Sequence, residues 1–146
     1  MKNFACLLAA SLLACVLTPW GLVAQTTVNG SLQFGAPASR LVIKATSLPV
    51  PWTAEMWVRR RDGAGLSAPL FIGPVGALKL EQFDSGRKVG LTIFADSDPS
   101  FDYQAPAGQW VHLAFVATAD GTALFVNGAY VDSIWETLAL PLDYFG

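Results

Sequence analysis

Apolar and polar residues alternate along most of this chain in short runs. The runs break about every eight to twelve positions at glycine, proline, asparagine or aspartate, the pattern of an antiparallel sandwich. Alternation with a period of two sends successive side chains to opposite faces of a strand. The first runs are Leu32 with Phe34 and, past a turn at 35–38, Leu41-Val42-Ile43. Trp52 to Arg59 follows, with Ala54, Met56 and Val58 on one face and Glu55, Trp57 and Arg59 on the other. Pro49 and Pro51 cannot sit in a central strand and mark the connection before it. Ala77–Phe83 and Lys88–Phe94 flank Asp84-Ser85-Gly86-Arg87 and predict a hairpin. A polar loop, Ala95 to Gly108, comes next. In Gln109–Ala117 both alternating sets are apolar, which predicts an inner strand covered on both sides. Asp120-Gly121 and Asn127-Gly128 are tight turns bounding Thr122–Val126 and Ala129–Ile134. No helix longer than a turn is expected past the leader. The fold class is all-β, an antiparallel two-sheet β-sandwich.

The first 24 residues have a different pattern. Lys2 precedes an apolar run from Phe4 to Leu17, and Ala24 stands before the polar Gln25. A positive start, a short apolar stretch and a small residue at the boundary describe a secretory signal, residues 1–24, with the domain at 25–146. The apolar run is short for a membrane span, which needs about 20 residues. Leu12-Leu13-Ala14-Cys15 also resembles a lipobox, so an anchor through Cys15 is the alternative to release, at the cell surface or in the periplasm. Both cysteines, Cys6 and Cys15, fall in this leader, so the processed domain is disulfide-free. Its 122 residues bury roughly two-thirds of the unfolded chain's surface, enough for a core without cross-links. The same lack of cysteine favours a bacterial exported protein. Without Lys2 the chain has 8 basic residues against 11 acidic, a net charge of −3, which argues against nucleic acid. Arg59-Arg60-Arg61, the one basic run, is expected as a solvated rim.

Several of these runs resemble a known family. Ser31-Leu32-Gln33-Phe34-Gly35, Leu41-Val42-Ile43 and Pro51 to Val58 are similar to the opening of laminin-G-like jelly-roll domains of the concanavalin-A-like lectin/glucanase superfamily. Gly108 to Phe115 resembles their GxWxHxAF strand, and Thr122 to Gly128 the hairpin that follows. Pro51 to Asp62, Ala77 to Gly90 and Phe101 to Gly108 look like the accessory module of some bacterial β-N-acetylhexosaminidases. The resemblance implies a jelly roll in a carbohydrate-handling context, with the hydrolase chemistry in a separate barrel. It also implies further strands past Gly146, so the domain is expected to be incomplete, with an unpaired sheet edge open to association. Family calcium sites draw ligands from near that end.

Candidate chemistry is sparse. Glycoside hydrolysis needs two carboxyls roughly 5–10 Å apart. The glucanase pattern E-x-D-x-x-E is absent, and Glu55, Glu81 and Glu136 each stand alone in their runs, so no catalytic residue is expected. His112, the one histidine, is expected as a packed or sheet-face residue. Asp96, Asp98 and Asp102 are hard oxygen ligands gathered in one loop and are the candidates for calcium. Trp57 and Trp110 are expected to be structural. Trp52, Tyr103, Tyr130 and Trp135 lie near turns or strand ends and are the candidates for stacking against a sugar ring. The expected function is a non-catalytic carbohydrate-binding module of a secreted bacterial protein. The alternatives are the N-terminal piece of a larger glycoside hydrolase and an adhesion module that binds an extracellular protein.

Overall fold

The structure, a computed structural model, describes residues 30–35, 39–61, 67–83 and 86–146. The leader with Cys6 and Cys15, and the Asp84-Ser85 turn, lie outside the described residues. The strands belong to the unit Gln33–Gly146. They are β1 (Leu41–Val42), β2 (Trp52–Arg59), β3 (Ala68–Ile72), β4 (Gly76–Glu81), β5 (Gly90–Ile93), β6 (Trp110–Thr118), β7 (Gly121–Val126), β8 (Ala129–Ile134) and β9 (Tyr144–Phe145). All pairings between these strands are antiparallel. One sheet runs β1-β9-β3-β4-β5 and the other β2-β6-β7-β8, the two-sheet sandwich that the alternation predicts.

Period-two burial builds the core. In β2, Trp52, Ala54 and Val58 turn inward, while Thr53, Glu55, Trp57 and Arg59 are exposed. In β6, Val111, Leu113, Phe115 and Ala117 are buried, and Leu124 and Val126 of β7 continue the same layer. Leu70, Leu78, Leu80 and Leu91 face them from the five-stranded sheet. Each fully buried side chain of this size contributes about 1.5–3 kcal/mol. The β6 expectation is half right. Its second set of side chains is not fully buried: Trp110 is exposed, and His112, Ala114 and Val116 are half-buried.

The loop after β5 is less polar in role than in composition. Phe101 and Ala105 are fully buried, and the Phe101 ring lies 6.0 Å from that of Phe115 between the sheets. The backbone of the loop lines the edge of β5: Leu91 N–H donates to Pro99 O, Phe101 N–H to Val89 O, and Val89 N–H to Tyr103 O. That satisfies groups which a bare edge would leave unpaired.

Three other expectations change. Residues 30–35 form no strand, although the Phe34 ring packs edge-on against Phe145 at 5.4 Å. β3 was hidden by Pro69, which sits at a bulge. Its partner β9 pairs only with Phe71 and Ile72, so the proline removes no donor needed there. Arg60, expected on a solvated rim, is buried. Its Nη1 meets Glu81 Oε1 at 2.8 Å and its Nε donates to Ala105 O at 2.6 Å. Arg60 follows β2 and Glu81 ends β4, so this ion pair ties the two sheets together.

Candidate functional site

Trp52 is not a platform for a ligand. It is 6% exposed, and its indole N–H donates to the Leu138 carbonyl at 2.8 Å. The position reads as the start of a strand, but period two turns it inward with Ala54. Tyr103 also packs against the core, and burial raises its phenol pKa above the usual tyrosine value. The other two aromatic candidates are exposed. Trp135 is 88% exposed and Tyr130 58%, and they lie at the end of β8 and near its start.

Tyr130 packs edge-on against Phe125 at 5.8 Å, and its hydroxyl donates to Ser133 Oγ at 3.1 Å. The pairings place Phe125 opposite Tyr130 and Ala123 opposite Ser133. Ala123 in turn faces Val116, and Phe125 faces Ala114. These side chains share the outer face of the four-stranded sheet. An open groove of about 440 Å³ runs over it, lined by Val116, Ala123, Phe125, Ser133, Ile134 and Trp135, with Thr118, Asp120, Gly121 and Thr122 at one end. The β8 end is fixed from behind by Thr122, whose hydroxyl donates to the Glu136 carbonyl at 2.8 Å. Small residues in the floor and aromatic ones beside it make a slot with apolar faces and hydroxyl edges. Such a surface suits a flat ligand with apolar C–H faces and polar rims.

The residues that the sequence reading passed over lie on this same face. Trp57 is 64% exposed and Trp110 49%. Trp57 pairs across the strands with His112, their ring centroids 5.4 Å apart, and His112 Nε2 lies 3.7 Å from Glu55 Oε2. The signal was present in the alternation, since Trp57 shares its face with Glu55 and Arg59.

The three aspartates are not gathered around a point. Asp98 Oδ1 accepts from the Thr92 hydroxyl at 2.5 Å and Asp96 Oδ2 from the Ser97 hydroxyl at 3.2 Å. Asp102 Oδ1 takes Lys88 Nζ at 2.8 Å, and that hydrogen bond with the lysine charge lowers its pKa below the usual aspartate value. Among the described residues no group of three or more acidic, histidine or cysteine side chains is placed to hold a metal. No helix among them is long and apolar enough to cross a membrane.

No curated protein matches the chain. Among solved structures, domain 4 of AbnA, a GH43 extracellular arabinanase from Geobacillus stearothermophilus in complex with arabinotriose, is similar, with a TM-score of 0.53 and 18% sequence identity. The likeness covers 72% of this chain and 53% of that one, so the chain spans about half of that domain's length. At this identity it shows a shared fold. The family profile described as the concanavalin A-like lectin/glucanases superfamily matches residues 24–143, and the chain belongs to that superfamily.

Proposed function

We propose that the protein is a non-catalytic carbohydrate-binding module, and that sugar binds on the outer face of the β2-β6-β7-β8 sheet. The observation that carries this reading is Trp135, almost wholly exposed beside a groove whose other walls are Phe125, Ser133 and Ile134. An indole held in water costs solvation that a bound sugar ring would relieve. The similar arabinanase domain holds an arabinose trisaccharide, which supports a glycan as ligand class. The acids support a role without catalysis: Glu81 is locked to Arg60 between the sheets, while Glu55 stands on the outer side of its own sheet, so they do not flank one site. The leader at 1–24 supports export, and the arabinanase context supports a place beside a glycoside hydrolase on a longer secreted protein.

The test is retention on a glycan array and in native gels containing polysaccharide, for the protein and for Trp135→Ala. The variant is expected to lose about tenfold in affinity, equivalent to the contribution of one stacked aromatic, at an unchanged melting temperature. Retention equal to that of the parent protein would falsify the assignment of the groove. A partner captured with no glycan signal would favour the adhesion alternative.

A further inference from the structure

The exposed aromatic surface does not end at the groove. The strand register orders the outer face into transverse rows. Thr53, Val116, Ala123 and Ser133 form one row. Glu55, Ala114, Phe125 and Tyr130 form the next, then Trp57 with His112, then Arg59 with Trp110. Trp135 lies beyond the first row. With ~3.3 Å per residue along a strand and ~4.8 Å between strands, Trp135 and Trp57 stand roughly 20–25 Å apart, far more than one sugar ring.

The floor between these ends is low and uncharged. Val116, Ala123, Ser133 and Ala114 are small, and the Phe125–Tyr130 pair forms a step midway. Charges stay at the rim, where Glu55 lies beside His112 and Asp120 beside the groove. The far end is set in place rather than loose. His112 braces the Trp57 ring at 5.4 Å with the planes inclined by 55°. Arg59, opposite Trp110, is held by its Nε, which donates to the Gly108 carbonyl at 3.0 Å. Trp57 and Trp110 are diagonal neighbours across β2 and β6 and together present a second apolar platform.

We propose that the outer face is one extended site that holds an unbranched, uncharged polysaccharide, with Trp135 and the Trp57–Trp110 pair as its two end platforms. This rests on the carbohydrate-binding reading and adds to it the length and charge of the ligand. A chain long enough to reach both platforms gains contacts that a short oligomer at one of them lacks, without a second association step.

The experiment uses the whole protein in native gels cast with hydroxyethyl cellulose, xylan, linear arabinan or glycol chitin. Calorimetry follows with the tri- and hexasaccharides of whichever polymer retards it. The expected result is tighter binding of the hexasaccharide. Trp57→Ala is expected to lose about tenfold on the hexasaccharide and to leave the trisaccharide unchanged, whereas Trp135→Ala weakens both. Trp110→Ala serves as the second variant and should reproduce Trp57→Ala. An unchanged melting temperature in all three shows that a platform was lost, not the fold. Equal affinity for the two oligomers, with Trp57→Ala and Trp110→Ala silent, overturns the extended site and leaves the Trp135 groove standing. No retardation by any of the four polymers removes the carbohydrate reading and the extension with it, whereas a silent Trp135→Ala removes the groove and with it the two-ended site.

Discussion

Replacing Trp52 by alanine would open a hole between the sheets and leave the Leu138 carbonyl without its indole donor. A buried aromatic truncated to alanine costs about 3–5 kcal/mol, and the melting temperature should fall by many degrees. Trp135→Ala should leave it unchanged, because the side chain is almost wholly in water. Thermal melts of the two variants side by side check the assignment of core and surface tryptophan. Glu81→Ala would strand the buried Arg60 guanidinium, at about 3–5 kcal/mol, while Arg60→Met with Glu81→Leu should recover much of the loss. Chemical denaturation of the three proteins reads the difference. Tyr103 gives a pH signature. Its folded pKa is raised by burial, so its contribution to stability is fully present below the ordinary tyrosine pKa of about 10 and is lost as pH rises through the folded value. Absorbance titration near 295 nm should show a late phase that Tyr103→Phe removes. At this scale the sequence was a partial guide. It marks Trp, Tyr and Asp as the chemistry available, but a residue at a strand end is sorted into core or surface by one step of parity. Trp52 was placed at the surface for that reason, whereas Trp57, expected to be structural although it shares the face of Glu55 and Arg59, is exposed.

Among the elements, the hairpins were legible because their turns have a local cause. Asn127 and Gly128 both adopt positive φ, 50° and 82°, as the two-residue turn joining β7 to β8 requires. The β4–β5 pairing and the β6–β7 ladder were legible for the same kind of reason. β3 and β9 were not: Pro69 at a bulge masks β3, and the pairing of β9 is non-local and two residues long. The loop after β5 was misread from composition: its aspartates face water or single partners, and its real task is carried by Phe101 and Ala105. Calcium follows from that geometry. With Asp98 engaged by Thr92 and Asp102 by Lys88, millimolar calcium is expected to leave the melting temperature unchanged. A rise of several degrees would show that the three carboxylates do converge on an ion.

At the scale of the whole molecule, the alternation of apolar positions was sufficient to predict two sheets and a dry interior, since that pattern has few other ways to bury its apolar face. The order of strands within each sheet was beyond it, because order depends on crossings between distant segments. The outer face of the four-stranded sheet was likewise invisible as a unit. It draws alternate residues from four strands, and none of those strands announces it alone.

The position of β9 has a consequence in time. Tyr144 and Phe145 lie between β1 and β3, where Phe145 touches both Phe34 and Phe71. A chain carrying only β1 to β8 holds every strand of one sheet but lacks the strip that joins β1 to the rest of the other. Folding of that half therefore waits for Tyr144 and Phe145, and contacts of such long range close slowly. A nascent chain bearing β1 to β8 would show its tryptophan-rich sheet early and its second sheet only once Phe145 arrives.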